Sequence, residues 1–352
     1  TPKRGLVQHK LYLQNVNAKI EEKKSEIKNI IIDLEKKGKP YTVEMIVENI
    51  IHPKDSAHVL TFLDSIIKRL ELAGKIGNSK VYKNTYGVFK KFRKDKDLIF
   101  DEFNYKVLKS FEESLQKDKL KINAISFHMR TLRAVYNLAI KEGVAQQELY
   151  PFKDYKIKRE KTSKRAIVKG NISAIKELDL SDKPELDKAR DYFLFSFYTR
   201  GMSFVDLAFL NVNNIYDDRL TYSRNKTNQK FSIKLTPQIT EIISKYNDLS
   251  DKEAYLFPII IDPKGDTYNQ YRKGMRATND NLNKIGKLIK LSIPLTTYVS
   301  RHSWATIAKR EGIPTAIISE GLGHETERTT QIYLDSFENQ VLDDANDLIT
   351  DI

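Results

Sequence analysis

The chain has 352 residues, with 60 Lys and Arg against 47 Asp and Glu and a net charge of +13 at neutral pH. That length allows two or three domains with cores of their own, and the positive excess points to a polyanionic partner, nucleic acid ahead of membrane. The lack of cysteine excludes disulfides, thiolate chemistry and cysteine-based zinc sites, the six histidines show no H-x-x-x-H pairing, and no apolar run approaches the ~18 residues of a membrane span. A cytoplasmic protein is expected, and the opening Thr1 reads as the start of a fragment.

From Leu13, the apolar residues Val16, Ile20, Ile27, Ile30 and Leu34 recur at helical steps, which predicts an amphipathic helix ended by Gly38 and Pro40. Such a helix packs on its neighbour, couples to a further domain or dimerises, and residues 1–52 are set apart on that ground. Residues 53–152 read as a compact helical bundle. In it, HVLTFLDSIIKRLELAGKIG ends in glycine signals, and ISFHMRTLRAVYNLAIKEG places Met129, Leu132, Val135 and Ala139 on one face before Gly143. Between them Tyr82, Tyr86, Phe89 and Phe92 alternate with Lys83, Lys90, Lys91, Arg93, Lys94 and Lys96. The aromatics are expected in the core and the cations on a solvated face that can lie on phosphates; Arg130 and Arg133 offer the same on the later helix. Residues 153–167 are nearly devoid of apolar side chains and read as a linker, with Lys156, Lys158, Arg159, Lys164 and Arg165 as a strap along DNA.

Residues 168–352 mix two periods. ARDYFLFSFYTRGMSFVDLAFLNVNNI is an apolar helical run followed by a short second helix. Leu220 and Tyr222, then Phe231, Ile233 and Leu235, alternate with polar residues on either side of a turn at 226–229, which predicts a β-hairpin. Beyond Asn279 the pattern is helical again, with breaks at Pro294, 312–314 and 321–323. The expected fold class is mainly α with a small antiparallel β-sheet.

Five polar residues stand out in these segments. Arg200 closes an apolar run, Lys226 sits at a hairpin turn, Arg301 opens a helix, His324 follows Gly-Leu-Gly, and Tyr333 comes nine residues later. Each alone reads as a capping, packing or surface residue. Together they make an apparatus for displacement at a phosphodiester. Arg and His would hydrogen-bond the non-bridging oxygens, Lys would protonate a leaving 5′-oxygen, and Tyr would be the oxygen nucleophile.

The stretch TYVSRHSWATIAKREGIPTAIISEGLGHETERTTQIYLDSF closely resembles the end of the catalytic domain of tyrosine recombinases, the lambda-integrase and Xer-like strand-exchange enzymes. Arg301, the Leu322-Gly323-His324 turn, Thr329-Thr330 and Tyr333 fall in the family's order and spacing. YTRGMSFVDLAFL and YPFKDYKIKREKTSKRAI are most similar to integrases of Bacteroides-type mobile elements. The resemblance implies a helical, SAM-like core-binding domain and a mixed α/β catalytic domain that clamp DNA. It implies Tyr333 as the nucleophile of a 3′-phosphotyrosyl bond, Lys226 as general acid, and Arg301 and His324 on the scissile phosphate. It further implies no cofactor, and a homotetramer that exchanges strands between two duplexes through a Holliday junction. The free chain would be monomeric or weakly associated, and a host DNA-bending factor could assist. The segment after Tyr333, with Leu334, Phe337, Val341, Leu342 and Leu348, would dock on a neighbouring protomer or pack in cis.

Two positions depart from the family's pattern. Tyr298 stands where a histidine is usual, and Ser203 stands where the first catalytic arginine is usual; a hydroxyl does not replace a bidentate guanidinium. Arg200, three residues earlier and on about the same helix face, or Arg224, two before Lys226 on the same strand face, could substitute. Other readings are a DNA-relaxing topoisomerase with the same chemistry and a DNA-binding or architectural protein that no longer cleaves. An RNA-binding protein is disfavoured by the lack of an RNP-like aromatic motif.

Overall fold

The computed structural model describes residues 58–160, 165–331 and 334, together with scattered positions between 13 and 46 and at 346 and 350. It divides into two compact units, Thr1–Lys161 and Thr162–Ile352. Every described position between 13 and 35 is helical, in keeping with the periodicity, while Ile30 and Leu34 lie outside the described residues. No helix among the described residues is long and apolar enough to cross a membrane.

The first unit is a bundle of α1 (Val59–Leu72), α2 (Ile76–Phe92), α3 (Tyr105–Lys117) and α4 (Ile122–Lys141). Phe89 of α2 is fully buried and meets Phe111 edge-on, with ring centroids 5.1 Å apart. Tyr82, Tyr86 and Phe92 pack against the same core, so the aromatic face of α2 is structural. The first amides of α1 find their acceptor far along the chain: Asp97 accepts from the Leu60 and Thr61 amides at 2.8 and 2.9 Å. After α4 the chain stays on the bundle. Phe152 and Tyr155 are core residues, and the first half of the expected linker belongs to this unit because those two rings anchor an otherwise charged run.

The second unit contains α5 (Lys169–Glu177), α6 (Pro184–Tyr198), α7 (Phe204–Ala208), α8 (Pro237–Ser244), α9 (Thr267–Leu288), α10 (Thr297–Arg310), α11 (Thr315–Leu322) and α12 (Glu327–Gln331). A three-stranded antiparallel sheet, β1 (Ile215–Tyr216), β2 (Arg219–Ser223) and β3 (Lys230–Lys234), follows α7 in strand order β1-β2-β3. Tyr222 pairs with Phe231 across the predicted hairpin, and their rings stack at 5.2 Å. α6 is buried on most sides through Tyr192, Phe193, Leu194 and Phe195, and it packs against α8, α9 and α10. α9 begins well before Asn279, with Asp266 capping it through the Asn269 amide at 2.8 Å. A small separate cluster joins Ala305, Ile318, Leu322 and Leu334, with Trp304 against it. Leu334, read as docking on a neighbouring protomer or packing in cis, is 1% exposed and packs in cis with this cluster. Phe337, Val341, Leu342 and Leu348 lie outside the described residues.

Candidate active site

The site grows from the end of α6. The Thr199 hydroxyl donates to the Phe195 carbonyl at 2.7 Å, and the chain then turns through Arg200 and Gly201, both left-handed at φ +60° and +71°. That conformation costs a residue with a side chain ~1 kcal/mol, and strain of this kind concentrates at functional positions. At Gly201 no side chain fits, since a Cβ would lie 2.7 Å from the Arg301 Cα. A buried hydroxyl relay holds the turn to α10: Ser300 donates to Ser196 at 2.9 Å, and Ser196 donates to the Met202 carbonyl at 2.7 Å.

Arg301 lies in the second turn of α10 rather than opening it, because the helix begins at Thr297. It is 5% exposed, and its guanidinium donates to the Gly201 carbonyl at 2.9 Å, to the Leu322 carbonyl, and to Nε2 of His324 at 3.1 Å. A guanidinium only donates, so Nε2 accepts and the ring proton sits on Nδ1, which donates to Thr330 Oγ1 at 2.9 Å. Burial lowers the His324 pKa to about 4, helped by the charges of Arg301, Arg224 and Lys226. The imidazole is neutral at pH 7.

Across from it, Gly323 ends α11 at φ +65° and lies flat on β3, where a Cβ would stand 2.3 Å from Phe231 Cζ. Arg224 reaches this turn and donates to the Gly323 carbonyl at 2.8 Å and the Leu322 carbonyl at 3.4 Å. Lys226 is exposed in the connection between β2 and β3. That connection is tied to α7 by Asp206, which accepts from the Asn225 amide at 2.8 Å and from the Ser203 hydroxyl at 2.6 Å.

Ser203 is thus the N-cap of α7, its side chain also accepting from the Asp206 amide. The shared helix face expected for Arg200 and Ser203 does not exist, because α6 ends before Arg200 and Ser203 is extended. Arg224 and Lys226 do not share a strand face either, because β2 stops at Ser223 and both stand in the connection to β3. The arginines converge all the same. Burial raises the Tyr222 phenol above its ordinary value and Asp206 adds to this, while Arg301, Arg224 and Arg200 all oppose it. Among the described residues, Arg200 takes part in no hydrogen bond or ion pair, whereas Arg224 is engaged by two carbonyls. Tyr298 is 45% exposed, its ring beside His302 with centroids 4.7 Å apart. Tyr333 and Lys164 lie outside the described residues.

Sequence reasoning gave no role to Asp206, Thr330 or Gly201. The Ser-x-x-Asp spacing at 203–206 is a helix-start signal, and the paired threonines before Tyr333 held the second clue. In the first unit Lys91, Arg130, Arg133, Lys156, Lys158 and Arg159 are exposed, as is Arg165 in the second. Lys90 and Arg93 are half-buried, and Lys90 lies 3.6 Å from Asp95 and 5.7 Å from the Tyr86 ring centre. Among the described residues no group of three or more acidic or histidine side chains is placed to hold a metal.

A helical bundle followed by this helix-rich unit has known counterparts. Residues 58–157 match the phage integrase SAM-like domain and residues 165–340 match the phage integrase family. The chain belongs to the phage integrase family of tyrosine recombinases, enzymes of DNA recombination. Tyrosine recombinase XerC of Treponema denticola is 26% identical over 286 residues, which span 72% of this chain and 86% of that protein. A solved lambda integrase tetramer bound to a Holliday junction has the same fold, with a TM-score of 0.55 and 17% identity over 87% of this chain and 85% of that one. The Tn1549 transposon integrase in complex with circular intermediate DNA gives a TM-score of 0.58 at 14% identity, over 83% of this chain and 99% of that one.

Proposed function

We propose that this recombinase is the site-specific integrase of a mobile genetic element of the Bacteroides type, acting in the cytoplasm on the ends of that element. The observation that carries the reading is the turn before His324, where Arg301 and Arg224 both donate to backbone carbonyls and Arg301 also donates to the imidazole. This gathers positive charge and a histidine nine residues before Tyr333. Fold likeness to a transposon integrase and to a junction-bound tetramer supports the mobile-element and tetramer assignments.

In the proposed reaction the Tyr333 oxygen, its proton passing to solvent, attacks the scissile phosphorus, and the bond to the 5′-oxygen breaks as the 3′-phosphotyrosyl bond forms. The leaving oxygen takes its proton from Lys226. Arg301, His324 and Arg200 hold the non-bridging oxygens, where charge builds. Arg200 supplies the guanidinium that Ser203 lacks; the engagement of Arg224 with two carbonyls supports that choice. Attack by a foreign 5′-hydroxyl reverses the step. No metal or nucleotide is called for, since the tyrosyl ester conserves the bond energy. Residues 1–52 would couple to a further domain, 53–152 hold the core site, and 168–352 carry the chemistry.

Covalent trapping tests the reading. The protein is incubated with suicide duplexes that carry the element's end, without divalent metal. A denaturant-resistant adduct is expected, and it should vanish in Tyr333→Phe. DNA binding with no adduct on any such duplex would favour a protein that holds DNA without cutting it, the reading that Ser203 in a helix cap would then support.

A further inference from the structure

The segment after α4 is strongly charged yet held. Tyr155 is buried among the bundle's core side chains, and Glu112, which is 4% exposed and accepts from Lys109 at 2.7 Å, lines the same cavity. Farther along, the Ser126 hydroxyl donates to the Lys158 carbonyl. Asn123 then bonds Glu160 twice: its amide donates to the Glu160 carbonyl at 2.9 Å, and its oxygen accepts from the Glu160 N–H at 3.1 Å. With 158 opposite 126 and 160 opposite 123, the segment runs antiparallel to α4 towards its start. These last three bonds use the segment's backbone alone. The side chains of Lys156, Lys158 and Arg159 stay exposed.

On α4 itself, Asn123, Ser126, Arg130, Arg133, Asn137 and Lys141 follow at steps of three and four, so they share one stripe. The first two residues of the stripe hold the segment, and Arg130, Arg133 and Lys141 continue it as exposed cations. We propose that Asn123 and Ser126 are positioning residues for DNA: they clip residues 156–160 to α4, so that Lys156, Lys158 and Arg159 extend the cations of α4 as one basic track for duplex phosphates. The inference rests on the recombinase reading above. Its physical content is entropic. A free basic strap must lose backbone freedom when it settles on DNA, whereas a clipped strap loses it on folding.

The full chain is titrated with a short duplex over a range of salt, read by fluorescence anisotropy. Lys158→Gln with Arg159→Gln should flatten the plot of log affinity against log salt by about 0.9 for each phosphate that is no longer neutralised. Asn123→Ala with Ser126→Ala removes no charge. It should leave that slope unchanged and weaken binding about tenfold at every salt concentration, with faster hydrogen exchange at the Glu160 amide. Glu160→Pro, which removes the N–H that Asn123 accepts, should show the same loss relative to the charge-matched Glu160→Gln, and it spares the bundle. Wild-type affinity in Asn123→Ala/Ser126→Ala despite an unprotected Glu160 amide would overturn the proposal. So would a Glu160 amide that stays protected in that variant, because the bonds would then not be what holds the segment. A wild-type chain without salt-dependent binding would instead overturn the recombinase reading on which the inference rests.

Discussion

Two polar clusters in the second unit treat buried charge in opposite ways. At the middle of α6, Asp191 is 2% exposed, and its carboxylate is met by Lys245 at 3.0 Å and by the Tyr246 hydroxyl at 2.9 Å. Lys245 donates to both carboxylate oxygens, Arg190 adds a second cation 3.9 Å away, and the cluster is closed by charges of both signs. Around the Leu322–Gly323 turn the groups are Arg301, Arg224, Lys226 and a neutral imidazole, and the arginines bond to carbonyls. Asp206, the carboxylate whose influence on Tyr222 opposes theirs, is already bonded to Ser203 and Asn225. Carbonyl dipoles solvate guanidinium groups but do not neutralise them. The first cluster needs nothing more; the second, on the function proposed above, is completed by an anion that arrives from outside.

The largest effect that would break this contrast is expected at Arg301. Arg301→Lys keeps the charge but loses the fork, and it should slow single-turnover cleavage of a suicide duplex about 10²–10³-fold with DNA affinity retained. Cleavage at the wild-type rate would reduce Arg301 to a packing residue. Next, Arg200→Ala should lower cleavage about 10²-fold without lowering the melting temperature. Arg224→Ala should cost less in rate but should lower the melting temperature, because it strips two carbonyls of their donor. Equal and intact cleavage in both variants would remove arginine substitution for Ser203 from the scheme. The control lies at the closed cluster. Burial pushes the Asp191 carboxyl up even against Lys245 and Tyr246, and Asp191→Ala should cost about 3 kcal/mol of stability while cleavage per folded molecule stays constant.

Legibility in the sequence followed the same division. The hairpin could be read because its apolar residues keep period two, and Arg301 and His324, singled out in the sequence as polar residues in regular segments, do meet in the fold, while Tyr333 lies outside the described residues. Contacts between distant positions could not. Asp206 meets Asn225 and Arg224 meets Gly323 only after β2 and β3 have paired, and no local pattern announces either bond. The early turns of α9 are polar enough to hide a helix, and the strap at 156–160 looked free because its bonds are made by backbone atoms. Arg200 stands out in the sequence for a face it does not share with Ser203; the left-handed turn that presents it carries only the weak signal of the glycine that follows.

The finest test of the open cluster is the titration of His324. Its folded pKa of about 4 lies below the ordinary imidazole value of ~6.5, so the unfolded chain takes up the proton first as pH falls. The stability that the neutral ring contributes is therefore fully present above pH ~6.5 and is lost as pH drops through about 4. Arg224 is one of the charges holding the ring neutral, so Arg224→Met should raise the His324 pKa and narrow that window. A phosphodiester set beside Arg301 should raise it further. A cationic ring can then donate from Nε2 to the phosphate, so DNA docking at the site takes up a proton and weakens as pH rises. NMR of the His324 ring, with a normal duplex and with one whose scissile phosphate is a neutral methylphosphonate, separates the two influences. An upward shift only with the charged phosphate makes the arriving anion the missing member of the cluster. The same shift with both duplexes would mean that closure around DNA, rather than the phosphate, changes the ring's surroundings, and the contrast with Asp191 would fail.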